Sequence, residues 1–178
     1  FVSPSRSILR GVRKLAGGQL LVVDIKGGRI CKDHRWHWPE REGLDPKADI
    51  TNLLRLRVEE WLQRFPNAGI LLSGGLDSSL LVALARAVRP DVPTFSTSFS
   101  FANSDDGENQ YALSMARHLG VTHHVHNTTP ERYLTGWVES IHAAEEPVHH
   151  LQSVLLHILF QDRAAAGHDA ILCGEGAD

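Results

Sequence analysis

The sequence predicts an α/β fold: a doubly wound, mostly parallel sheet with helices on both faces, preceded by a short β-hairpin. Three observations carry this. Short apolar runs alternate with longer stretches of helical period, the pattern of βαβ units. Gly and Pro residues punctuate the boundaries between them. At one junction, Gly69-Ile-Leu-Leu-Ser-Gly-Gly-Leu-Asp-Ser-Ser79, an apolar run passes through two glycines directly into a helical pattern.

The elements follow in order. Residues 20–25 and 30–36 read as strands around the turn Lys26-Gly27-Gly28-Arg29, a hairpin that would close an upstream domain. Trp38-Pro39-Glu40-Arg41-Glu42-Gly43 is polar and marked by Pro and Gly, so it reads as a linker, with a second domain over 44–178. A helix over 46–64 carries the stripe Ile50, Leu53, Leu54, Val58, Trp61, Leu62 and Phe65, and Pro66 ends it. Ile70, Leu71 and Leu72 form a buried strand. The helix after them begins near Asp77 and turns Leu80, Leu81, Leu84, Ala85 and Val88 inward.

Pro90-Asp91 leads into a strand over 93–99. A helix over 108–119 buries Ala112, Met115, Ala116 and Leu119 and stops at Gly120. Residues 121–126 form the next strand. Thr129 and Pro130 suit an N-cap and a first helical position. Leu134, Trp137, Val138 and Ile141 are the expected buried face of that helix. Pro147 interrupts the chain, and a helix over 151–166 points Val154, Leu155, Ile158 and Leu159 inward. Gly167 stops it, and 170–173 is the last strand. The chain shows no internal repeat.

Composition narrows the classes. A chain of 178 residues can bury one good core and a small appendage. Its formal net charge of −3 offers no basic surface for nucleic acid. Two cysteines are too few for a disulfide framework and fit a reducing, cytoplasmic setting. No apolar run reaches membrane-spanning length, and no signal-peptide pattern opens the chain. Phe1 in place of Met, and an end at Asp178 soon after a strand, suggest a piece of a longer enzyme.

The glycine junction carries the chemistry. Gly74 and Gly75 lack a Cβ, so both can take positive φ and let phosphate oxygens approach the backbone. The first N–H groups of the following helix have no internal partner, and the helix dipole adds partial positive charge there. A phosphate satisfies both, with Ser73, Ser78 and Ser79 as further donors. Asp77 would repel a bare polyphosphate, but suits a hard divalent cation such as Mg²⁺ that also touches the phosphates. A Gly-Gly pair alone would mean only a capped helix. The full string points to a nucleotide, and it is neither a Walker A loop nor a dinucleotide fingerprint. In sheets of this kind ligands bind beyond the carboxyl ends of the strands. The 173–178 segment also follows a strand, so the two loops should share one cleft.

Ser73-Gly74-Gly75-Leu76-Asp77-Ser78-Ser79 resembles the PP-loop of the ATP pyrophosphatases, a Rossmann-like group that cleaves ATP to AMP and pyrophosphate. Glu145-Glu146-Pro147 and Gly174-Glu175-Gly176-Ala177-Asp178 are similar to the synthetase domain of glutamine-dependent asparagine synthetases. Ser3-Pro4-Ser5, Gly11-Val12-Arg13-Lys14-Leu15 and Gly18-Gln19-Leu20 resemble the end of that family's amidotransferase domain, so 1–43 would be its remnant and linker. The resemblance implies ATP and Mg²⁺ as cofactors, with Asp77 and Asp178 contacting metal and pyrophosphate. It implies Glu175 as the acid–base catalyst of ammonia attack. Leu72, Thr97, Cys173 and Gly174 would contact the adenosine, although relatives commonly carry an aliphatic residue for Thr97 and a small one such as Ser for Cys173. The implied partners are aspartate or a similar carboxylate, and ammonia from an upstream glutaminase domain. A homodimer is compatible with the family, and the sequence itself sets no oligomeric state.

Two rivals stay open. A β-lactam synthetase or another amide-forming relative would use an internal amine in place of ammonia. A non-catalytic nucleotide-binding fragment would bind ATP and turn nothing over. A tRNA-modifying PP-loop enzyme fits less well, because the acidic balance offers no phosphate-tracking surface. Asp105, Asp106 and Glu108 read as a helix-capping acidic cluster. His123, His124, His126, His149 and His150 lack zinc spacing and read as surface or hydrogen-bonded residues. Trp36-His37-Trp38 reads as interdomain packing.

Overall fold

The protein is seen in a computed structural model that describes residues 7–36, 49–99, 107–148 and 150–175. The chain divides into two compact units, Phe1–Ala48 and Asp49–Asp178. In the first, β1 (Gln19–Asp24) pairs antiparallel with β2 (Arg29–Arg35), with a bulge between Val22 and Val23. Every residue of β2 is exposed, so this two-stranded ribbon supplies little core.

The second unit alternates helix and strand. The order is α1 (Ile50–Arg64), β3 (Gly69–Leu71), α2 (Leu76–Val88), β4 (Thr94–Phe99), α3 (Gly107–Leu119), β5 (His123–Thr128), α4 (Pro130–Ala144), α5 (Leu151–Ala165) and β6 (Ile171–Leu172). The four strands form one parallel sheet in the order β5-β4-β3-β6. The start and stop signals are seen at work. Asp49 caps α1 by accepting from the Asn52 amide, and Thr129 caps α4 with Pro130 at its first turn. Gly120 and Gly167 end α3 and α5 at positive φ.

Two apolar clusters hold the layers. Val58 and Leu62 of α1, Val82 and Ala85 of α2, and Ala112 and Ala116 of α3 pack together with Ile70 and Leu72. Across the sheet, Tyr133 of α4 packs with Val154 and Ile158 of α5. Helices thus cover both faces, and the fold is the doubly wound α/β class that the sequence predicts.

One residue of α2 and the whole stripe of α4 differ from expectation. In α2 Ala85 is fully buried and Leu81, Leu84 and Val88 pack on the core as expected, while Leu80 is 40% exposed and Val82 is buried as well. In α4 the expected inward stripe faces out: Leu134 is 63% and Val138 58% exposed. The helix buries Tyr133, Gly136 and Ser140 instead. Gly136 explains the rotation, because a Cβ there would fall 2.5 Å from Ile158 Cδ1. The glycine lets α5 approach the α4 backbone, so the close crossing is made by small residues rather than large ones.

Candidate functional site

β6 sits on one flank of β3, whereas β4 and β5 extend the sheet on the other. The winding therefore reverses between β3 and β6, and the segments leaving their carboxyl ends frame a crevice. Residues 72–75 leave β3, and residues 173–175 leave β6. They meet there: a Cβ built on Gly174 would lie 3.2 Å from both Asp77 Cβ and the Ser78 nitrogen. A cavity of about 450 Å³ opens at this point, a size typical of small-molecule sites.

The loop is braced by its own hydroxyls. The Ser73 amide donates to Ser78 Oγ at 3.2 Å, and the two side-chain oxygens are 2.9 Å apart. Ser78 Oγ reaches the Gly75 carbonyl at 3.3 Å, and the Gly75 amide donates to Ser73 Oγ at 3.3 Å. Ser73 and Ser78 thus shape the loop through their own hydroxyls. Ser79 does not line the cavity, and its buried Oγ has no hydrogen-bond partner among the described residues.

The two glycines also divide their tasks. Gly74 has φ +84°, and a Cβ on it would fall 2.6 Å from the Tyr111 carbonyl carbon and 2.7 Å from the Ala112 nitrogen. It is small so that the loop can pack on α3. Gly75 has φ −71° and ψ 168°, an extended conformation open to any residue. Of the two glycines able to take positive φ, Gly74 does so and Gly75 does not.

Gly75 is the N-cap of α2 and provides no side-chain cap, unlike Asp49 of α1 and Thr129 of α4. The opening turn of α2 therefore presents backbone N–H groups and the positive dipole end with no capping carboxylate or hydroxyl in competition. Leu76 stands beside it, 85% exposed. Asp77 is exposed and lines the cavity.

Leu72, Thr97, Cys173, Gly174 and Glu175 line the same cavity. Thr97 Oγ1 accepts from Gln152 Nε2 at 3.4 Å. Cys173 is a half-buried free thiol. The charged side chains on the described wall are Asp77 and Glu175, both acidic. An anionic ligand would therefore need a cation beside it, and Asp77 offers the oxygen donor that a hard cation prefers. Asp178, Gly176 and Ala177 lie outside the described residues, as do Asp105, Asp106 and His149. Among the described residues no group of three His, Cys, Asp or Glu side chains is gathered for a metal.

Sequence reasoning missed Ser96, Asn109, Gln152, Leu156 and Phe160, all on the wall. The spacing of four along α5 marks one helix face, and that signal was legible. Nothing in the sequence marks Asn109. His124 stacks on Phe95, and His126 Nε2 lies 3.3 Å from Asp162 Oδ2. Burial pulls the pKa of His126 below its ordinary value despite the attraction of Asp162.

Residues 49–178 match the family model described as asparagine synthase. A Mycobacterium bovis protein provisionally named asparagine synthetase (glutamine-hydrolysing) is 30% identical over 188 residues, covering all of this chain and 28% of that protein. The chain thus spans just over a quarter of the length of this curated relative. The 7-cyano-7-deazaguanine synthase of Ectopseudomonas mendocina is 47% identical over 57 residues, which is 32% of this chain and 25% of that one. Among solved structures, an NH3-dependent NAD synthetase from Campylobacter jejuni overlays 68% of this chain and 53% of its own, at 16% identity and a TM-score of 0.48. No helix of the described residues is long and apolar enough to cross a membrane. By the match over 49–178, the chain belongs to the asparagine synthase family.

Proposed function

We propose that the crevice between β3 and β6 binds ATP and that the protein of which this chain is part is an amide-forming ligase making asparagine. In this reading the side-chain carboxylate of aspartate attacks the α-phosphorus, and pyrophosphate leaves. The nitrogen of ammonia then attacks the acyl carbon of the β-aspartyl adenylate, and AMP leaves with the bond electrons. An upstream glutaminase domain would supply the ammonia, in the cytoplasm.

The chain's own groups divide the work. The open first turn of α2 receives the pyrophosphate end, where preorganised N–H groups stabilise charge gathering on the leaving group. Leu72, Thr97, Cys173 and Gly174 pack the nucleoside. Glu175 takes the proton that the attacking nitrogen sheds. Asp77, with Asp178, would hold Mg²⁺, which supplies charge neutralisation on the phosphates when bound.

The observation that supports this most strongly is the contact of Gly174 with Asp77 and Ser78, which brings two loops distant in sequence to the switch point. The test is exchange of labelled pyrophosphate into ATP by the full-length protein. Exchange that requires aspartate supports the reading. Exchange that requires a different acid ends the asparagine assignment, and no nucleotide binding at all ends the ligase reading.

A further inference from the structure

The side of the cavity built by β4 and α5 carries a neutral polar pair in an apolar setting. Gln152, Leu156 and Phe160 recur every four residues along α5 and line the cavity together. Phe95 and Thr97 line it from β4, and their spacing of two puts them on one face of the sheet. Phe95, Leu156 and Phe160 offer only hydrocarbon. Beside them, Gln152 Nε2 donates to Thr97 Oγ1 at 3.4 Å. That is a long hydrogen bond, so Thr97 steers the amide rather than clamping it.

The other neutral polar side chains on the wall are turned to one another. Ser73 and Ser78 brace the loop, and Ser96 Oγ donates to Asn109 Oδ1 at 2.9 Å. Gln152 differs from them. One N–H of its amide is directed to Thr97, and the carbonyl Oε1 is left as an acceptor. The residue is exposed and on the cavity wall, so a ligand can meet it without any core being unpacked.

The ligand chemistry follows from these groups. The first turn of α2 suits the phosphate end of a nucleotide, which leaves the apolar residues of β4 and α5 for its base. A mostly apolar wall with one or two placed polar groups is what fixes the orientation of a flat ligand. Adenine has two apolar faces and a 6-amino group on its edge, and a glutamine amide is a well-matched partner for that edge.

We infer that Gln152 is a specificity-determining residue of this cavity, its Oε1 accepting from the 6-amino group of adenine while Thr97 steers the other end of the amide. The inference rests on the ATP reading for its ligand and names the part of that ligand that α5 reads. A purine lacking the amino group leaves Oε1 without a donor, and a 6-oxo purine sets one acceptor against another.

The test is calorimetry on the full-length protein with Mg-ATP and with the Mg²⁺ complex of purine riboside triphosphate, in which hydrogen replaces the 6-amino group. The wild type should bind ATP about threefold to tenfold more tightly, the worth of one hydrogen bond. Gln152→Leu, at an exposed position, should abolish that preference. Gln152→Glu keeps an acceptor and should keep the preference, even as its charge weakens both nucleotides. Thr97→Val should shrink the preference, and Thr97→Ser should restore it. A wild type with no preference, or a preference untouched by Gln152→Leu or by Thr97→Val, overturns the inference while ATP binding stands. An effect of Gln152→Leu confined to the KM of the acyl substrate overturns it too, and gives the amide to that substrate. Binding of neither nucleotide would sink the ATP reading and the inference together.

Discussion

Gly74 and Gly75 are neighbours in one loop, and the structure predicts opposite fates for their alanine variants. Gly74→Ala puts a residue with a Cβ at φ +84° and drives that Cβ to 2.6 Å from the backbone of Tyr111. The left-handed conformation costs Ala about 1 kcal/mol, and forcing atoms into a packed helix backbone costs roughly 1–3 kcal/mol more. A loss of about 2–4 kcal/mol should appear in urea unfolding, with a fall in Tm on the order of 10 °C. Gly75→Ala keeps φ −71°, and its Cβ meets only Ser73 Oγ at 3.4 Å. Its stability should stay within about 1 kcal/mol of the wild type, since a compatible Gly→Ala change also stiffens the unfolded chain. Yet its methyl stands at the mouth of the loop, so calorimetry should show Mg-ATP affinity reduced by at least about tenfold, the loss expected when backbone can no longer meet phosphate closely. Equal destabilisation by both variants, or a Gly74→Ala protein as stable as the wild type, would refute the division of labour.

Asp77→Ala should leave urea stability within about 0.5 kcal/mol, because the residue is exposed. It should nevertheless remove the Mg²⁺ dependence of ATP binding; unchanged calorimetric heats would count against the metal–phosphate assignment. Burial lowers the pKa of both His123 and His126. The unfolded chain then binds more protons near pH 6, so this stability is fully present above pH ~6.5 and is lost as pH falls through the lowered folded values. The urea midpoint should drop between pH 7.5 and 5.5, and His123→Gln/His126→Gln should flatten that slope; an unaltered slope contradicts the cause. Leu134→Glu/Val138→Glu should cost no more than about 0.5 kcal/mol per site if the outer face of α4 is exposed as seen. A loss of several kcal/mol in circular-dichroism melts would restore the buried-stripe reading.

Local signals were well read. Thr129 and Pro130 at the start of α4, and Gly120 and Gly167 at the ends of α3 and α5, act through their own backbone chemistry, so a single sequence reveals them. The α/β alternation was legible for the same reason. Which face of α4 is inward was not, because Gly136 makes the crossing and a glycine carries no hydrophobic signal. The glycine loop announced a turn into a helix N-terminus, but not that the Ser73 and Ser78 hydroxyls brace that turn. Asn109 reaches the cavity only because α3 packs beside β4, a tertiary fact that no local pattern encodes. The reversal of winding between β3 and β6 likewise belongs to strand order, and it is what turns two separate loops into one crevice.

Backbone amide NMR of the full-length protein titrated with Mg-ATP tests the crevice most directly. Shifts should concentrate on residues 73–78 and 173–175 together, the two loops responding at one affinity. Shifts confined to one of these loops, or gathered around Arg89 and His168 at the separate pocket they line, would contradict it.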